Sequence, residues 1–353
     1  GGSMKIFTGN IDKIKDDLTN STYKLVTSMN VNTIIDSLNT TNFLNIALSE
    51  VDKERNSEIK NLINELNNLF LNMALIKVYQ YEKRNLKNLR DNYVLAVTIV
   101  QSLLKRLKID SQFDYSVIND KKYSEEEMYK IIMKYYQDSD NLKSADVFNR
   151  LILNEQIYSL DLPEGYVGNS NVSKSLNENY VFISNKHNFT TMTTLVHEVE
   201  HIRDEEKIKD TAKLNRFKFC NNFLEVNPYL EEKKFLNYLK DDALFKDEVI
   251  CQNKINYYTL ICELHRLKDL LKYENYSETL SENSNFEETI NLVFGNLVSD
   301  ILLDCPEKIT DYKFYMNEKR ELLFDQDLLR TFGYTPFGAS NVVVRNYQKS
   351  LKK

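Results

Sequence analysis

Thr194-Leu195-Val196-His197-Glu198-Val199-Glu200-His201-Ile202 is the stretch on which the reading of this chain turns. Only four histidines occur in 353 residues, and two of them stand four apart around a glutamate. On an α-helix, residues i and i+4 share one face, so both imidazoles can reach a single ion. Met192, Leu195, Val196, Val199 and Ile202 recur at helical spacing and supply an apolar stripe for burial. Asn188 or Thr190 is the expected cap at its start. Zinc takes nitrogen and oxygen donors and, in a catalytic site, keeps one position for water. Glu198 leans toward that open position, where a carboxylate serves as general base and then as acid. The pattern predicts a metal-binding helix with His197 and His201 as ligands and Glu198 as the catalytic group.

Such a site needs a third protein donor. Glu200 lies about 100° around the helix from His201, which makes it a poor partner. Asp204 is on a reachable face but has a short side chain. Glu225 falls in a second helix-like segment, Phe223-Leu224-Glu225-Val226-Asn227-Pro228-Tyr229-Leu230-Glu231-Glu232, after a charged connection. Two antiparallel helices would bring it to the metal. Glu225 is the better candidate, and its choice rests largely on a family resemblance.

Residues Thr194 to His201 resemble the active-site helix of the thimet oligopeptidase and oligoendopeptidase F group of zinc peptidases. Glu225 and Glu232 fit the offsets of that group's third ligand and of the glutamate that often follows it. Tyr123-Ser124-Glu125-Glu126-Glu127, Glu164-Gly165-Tyr166 and Tyr180 to Asn185 follow the family's order upstream. Asn291 to Val298 is similar to its glycine-containing C-terminal helix, and Asp327 to Gly333 to its closing segment. The likeness spans roughly residues 120–340; only the zinc motif and Glu225 are specific. It implies a mainly α, helical zincin-type peptidase with a small β element beside the active-site helix. The implied cofactor is Zn2+, held by His197, His201 and Glu225, with Glu232 behind them. It further implies a strand at Tyr180–Asn185 near the substrate edge, with Phe182 and Ser184 at the substrate, and a cleft loop at Gly165 and Tyr166. A strand edge recognises extended peptides with little regard to sequence.

Two departures stand out. Glu200 replaces the family's usual glycine. Phe286 to Phe294 carries neither the tyrosines nor the histidine that help hold the substrate carbonyl as it becomes an oxyanion. Tyr257, Tyr258, Tyr315 and Tyr334 are the candidate replacements, and Tyr334 is taken as a substrate contact. His187 is expected to line the cleft. His265 reads as structural or superficial, yet it is the one histidine left downstream. Gly333-Tyr334-Thr335-Pro336-Phe337-Gly338 is either a closing flap or the connection to a final helix.

Eight glycines and four prolines leave long stretches that favour helix. Helices are expected at Ser57–Leu86, Asn92–Ile109, Glu125–Gln137 and Ala145–Leu160. The second ends in Lys105-Arg106-Leu107-Lys108, a basic helix terminus meeting its dipole. Leu162 to Gly168 is the richest turn region, and Tyr180 to Ser184 is β-prone. Residues 1–3 read as an expression scar, 4–115 as an N-terminal helical region and 116–353 as the catalytic region, with the boundary at Asp110–Asp120. The net charge of −6 is well mixed and argues against a nucleic-acid partner. No apolar run has the length of a membrane span or a signal peptide. Cys220, Cys251, Cys262 and Cys305 form no CxxC pair and read as mostly buried free thiols. A cytoplasmic protein is expected, with a peptide substrate, no nucleic acid and no membrane.

The functional expectation is a zinc-dependent endopeptidase for short or unfolded peptides. Relative to the usual oligoendopeptidase, the N-terminal part is the most reduced, which suits a dedicated precursor or leader peptide. The alternative is a catalytically impaired, zinc-containing peptide-binding or regulatory protein. A third reading is a helical interaction protein in which the motif is accidental.

Overall fold

A computed structural model describes residues 9–66, 97–108, 121–219, 223–271, 284–318, 329 and 332–351. The chain is mainly α-helical with a small sheet. In order come α1 (Ile11–Thr27), α2 (Val31–Ile46), α3 (53–66), α4 (97–104), α5 (Glu125–Asp138) and α6 (Leu142–Leu153). Then follow β1 (Ile157–Leu160), β2 (Gly168–Ser173), β3 (Glu178–Ser184), α7 (Phe189–Glu206), α8 (Thr211–Phe219), α9 (Val226–Leu239) and α10 (Lys246–Leu270). The last helices are α11 (Ser284–Asp304), α12 (Ile309–Glu318) and α13 (Pro336–Ser350). No helix among the described residues is long and apolar enough to cross a membrane.

The boundary expected at 110–120 lies outside the described residues. Contacts group the chain into two discontinuous units, Gly1–Lys77 with Asp120–Arg216 and Val78–Asn119 with Phe217–Lys353. The span 116–353, expected as one catalytic region, contributes to both.

In the first unit the sheet order is β1-β3-β2, with β1 parallel and β2 antiparallel to β3. Tyr180 and Phe182 join Tyr158, Ile14, Leu18 and Phe43 in one core, and the Phe182 ring stacks on Phe43 at 4.3 Å. Alternation along the strand turns Val181 and Ile183 to the opposite face, and α7 packs on β2 and β3. Asp36, buried on α2, accepts the Lys174 and Ser175 amides (3.2 and 2.7 Å) and holds the β2–β3 turn. At the α5 start, Ser124 and Glu127 form a reciprocal capping box.

Two sequence expectations are corrected. The helix expected over Ala145–Leu160 stops at Leu153, where Glu155 adopts φ +55° and Ile157–Leu160 becomes a strand by pairing with β3. The strand expected at Tyr180–Asn185 is seen as β3, the middle strand, so the outer strand beside it is β2. Among the described cysteines Cys262 is exposed and Cys251 and Cys305 are half-buried, so burial is not their common feature. The helix expected at Ser57–Leu86 is seen as α3; the rest of that span, from 67, lies outside the described residues, as does Cys220.

In the second unit α11 is the central helix. Val293, Phe294, Leu297, Val298, Ile301 and Leu302 share one core with residues of α4, α9, α10 and α13. The basic end of α4 is structural. Arg106 donates to Ser102 O (3.0 Å) and to the Asn341 side chain, and it lies over the Phe337 ring. Thr335 caps α13 at Gly338 N and Pro336 opens the helix, so Gly333–Gly338 is the connection to a final helix.

Candidate metal centre

Helix α7 starts where Asn188 accepts the Thr191 amide (2.9 Å) and Thr191 Oγ1 accepts the Asn188 amide (3.3 Å). Its stripe of Met192, Leu195, Val196, Val199 and Ile202 is fully buried. That burial fixes the rotation of the helix and turns His197 and His201 to the same side, their ring centroids 5.0 Å apart. Glu198 is 6% exposed, and its Oε2 accepts a hydrogen bond from Ser170 Oγ (2.6 Å). Ser170 lies on β2, the strand seated against α7. Two residues earlier, Gly168 lets β2 approach so closely that a Cβ there would stand 2.5 Å from Thr194 Cγ2 and 3.5 Å from Glu198 Cγ. The sequence offered no strand signal for Gly168-Asn169-Ser170-Asn171, so Ser170 went unnoticed. Its only clue was that β3 needs a partner.

Glu225 stands at the N-cap position of α9, with φ −92° and ψ −2°, and makes no capping bond. The α11 backbone runs against it at Gly295. His197 and His201 are half-buried in the first unit, and Glu225 is half-buried in the second. Imidazole nitrogens and carboxylate oxygens are donors that a divalent ion accepts.

The other candidate donors are engaged elsewhere. Glu200 is buried and takes bonds from Ser144 Oγ (2.8 Å) and Arg203 Nη1 (3.2 Å), tying α6 to α7. Glu200 is therefore a structural anchor. Asp204 pairs with Lys207 at 3.7 Å. His187, at φ +48°, faces Ser159 and Glu125, and its carbonyl accepts the Tyr123 amide. His265 is exposed on α10.

Phe182, expected at the substrate, is fully buried in the sheet core and offers no side-chain surface. Ser184 is also buried; its Oγ accepts the Lys186 amide (3.2 Å). Gly165 sits at φ +90° in a turn closed by Tyr166 N to Pro163 O (3.0 Å), a conformation that favours glycine. Tyr166 and Val167 follow, both exposed, at the entry to β2. Tyr334 contacts Cys305 Sγ at 3.7 Å and lies under Lys308. Tyr257 exchanges two bonds with the Lys108 backbone. The side chain of Tyr315 lies outside the described residues.

Glu232 lines a small cavity of ≈ 40 Å³ with Tyr229, Lys233, Glu263 and Tyr347. Burial, and then the Glu225 and Glu232 carboxylates, push the Tyr229 hydroxyl well above its usual range. It stays protonated, a neutral donor one turn along from Glu225. Comparison with models of protein families, with curated proteins and with solved structures found no match to this chain.

Proposed function

We propose that this chain is a zinc-dependent peptidase that cleaves short or extended peptides. One observation carries the reading: His197 and His201 face the same side of one buried helix, ring centroids 5.0 Å apart, and Glu198 follows the first of them; Glu225 is the third ligand of this proposal. Two imidazoles and a carboxylate are a donor set typical of catalytic zinc; manganese or cobalt fits the same donors. When bound there, zinc supplies a Lewis acid that polarises a carbonyl and lowers the pKa of water. Glu198 takes the proton of the attacking water and hands it to the leaving amine. Ser170 fixes one of its oxygens, which leaves the other for the proton transfer. An extended peptide is the substrate best suited to β2, an outer strand of the sheet that lies directly on α7.

A second reading, a zinc-containing peptide-binding protein without turnover, draws on the missing oxyanion groups. Two of the candidate replacements, Tyr257 and Tyr334, are engaged with Lys108 and Cys305. One experiment separates the two. Metal content is measured for the protein and for His197→Ala, and a peptide library is then offered to the protein and to Glu198→Gln. About one zinc per chain, lost in His197→Ala, with cleavage abolished in Glu198→Gln, is the expected result. Zinc and peptide retention without cleavage by either form supports the second reading, and absence of metal refutes both. The same library reports whether one dedicated peptide or many are cut.

A further inference from the structure

Gly295 lies buried in the middle of α11, where a glycine is conformationally costly and alanine would suit the helix better. Its use is visible in what a side chain would meet. A Cβ at this position would stand 2.5 Å from Glu225 Cβ, 3.0 Å from the Glu225 carbonyl carbon and 3.0 Å from Tyr229 Cδ2. Non-bonded carbons rest roughly 3.5–4.0 Å apart. The backbone of α11 is therefore seated directly on the residue that opens α9. Two of the three contacts fall on the main chain or Cβ of Glu225, which cannot swing away as a side-chain tip would.

A second observation shows that this seat is held in register. Lys233, two turns along α9, donates to Asn296 O (3.1 Å) and Ser299 Oγ (2.7 Å) and pairs with the buried Asp300 at 3.1 Å. These partners lie on α11 immediately after Gly295. The same two helices are thus joined by a close backbone contact at Glu225 and by a buried ionic latch beyond it. Glu225 stands at the N-cap of α9, its carbonyl accepting the Tyr229 amide (3.0 Å), and the α11 backbone presses on its Cβ and carbonyl carbon.

We infer that Gly295 is the positioning residue for the third metal ligand: its missing side chain sets where Glu225 stands. This rests on the reading of Glu225 as a ligand. Bringing a 2.5 Å contact to a normal one displaces Glu225 by about 1 Å. Metal–ligand distances tolerate only about 0.2 Å. Loss of a group that orients a ligand weakens metal binding by roughly 10–100-fold.

The test is zinc affinity of the full chain, by competition with a chromophoric chelator, with helix content followed by circular dichroism. Gly295→Ala is expected to bind zinc at least about tenfold more weakly than the unaltered protein. Gly338→Ala, whose Cβ would meet nothing closer than 3.4 Å, is expected to bind as the unaltered protein does. In a Glu225→Ala background, Gly295→Ala is expected to add no further loss, because its effect runs through the absent carboxylate. Unchanged affinity in Gly295→Ala, with weakened Glu225→Ala, overturns the inference and leaves the ligand reading intact. An equal further loss in the Glu225→Ala background overturns it too, since that is the signature of general unfolding. Unchanged affinity in Glu225→Ala instead removes the ligand reading and the inference together.

Discussion

Gly168→Ala puts a methyl group where β2 touches α7. The new Cβ would lie 2.5 Å from Thr194 Cγ2, 3.0 Å from the Phe182 carbonyl oxygen and 3.5 Å from Glu198 Cγ. The first contact must open by about 1 Å. The Phe182 oxygen belongs to the middle strand of the sheet and cannot rotate aside. Thr194 is β-branched and on a helix, where few side-chain rotamers are open to it. Overpacking of this kind costs about 1–3 kcal/mol. The assay is urea denaturation of four proteins: unaltered, Gly168→Ala, Thr194→Ser and the double variant. Thr194→Ser deletes the Cγ2 methyl that makes the worst contact, so the double variant should recover more than half of the loss. A Gly168→Ala midpoint equal to that of the unaltered protein would refute the reasoning. So would a double variant no more stable than Gly168→Ala, because the strain would then not be at Thr194.

Ser170→Ala removes the hydrogen bond to the Glu198 carboxylate. Bonds to charged groups contribute about 1.5–3 kcal/mol, so kcat on a cleaved library peptide should fall about 10–100-fold, with KM and zinc content unchanged; an unaltered kcat excludes the orienting role. Glu200→Gly deletes the acceptor of Ser144 and Arg203. It is expected to cost about 2–4 kcal/mol in stability, and a stable variant would show that the α6–α7 tie is dispensable. Lys233→Met strands Asp300, which is 3% exposed, at a cost of about 3–5 kcal/mol. Burial already raises the Asp300 carboxyl pKa despite Lys233. A raised acid binds its proton more tightly in the folded state, so the deficit should shrink as pH is lowered from neutrality into the carboxylate range. A deficit that grows on acidification contradicts this.

Helix α7 was the most legible part of the sequence. Its cap at Asn188, its buried stripe and its two histidines depend on neighbours within a few turns, and the helix carries all of them as expected. The capping box of Ser124 and Glu127 is local in the same way, the two residues standing three apart in one segment. The sheet was misread for the opposite reason. Ile157–Leu160 continues a helical pattern and becomes a strand only because β3 lies beside it. Gly168-Asn169-Ser170-Asn171 has no strand propensity and is held by its pairing with Phe182 to Tyr180 and by the α7 surface. Phe182 looked like a cleft residue and is core, because its neighbours in space come from α1 and α2.

By itself the sequence determined a mainly helical chain and a helix that presents His197 and His201 on one side with Glu198 next to them. Those features follow from a 3.6-residue period, which is local. Tertiary structure alone decided that β2 rather than β3 is the outer strand. It also decided that Ser170 holds Glu198, that Glu200 is an anchor and that Gly295 bears on Glu225. Each of these depends on how closely two distant segments approach, and the distance of approach is set by packing that no short window of sequence contains.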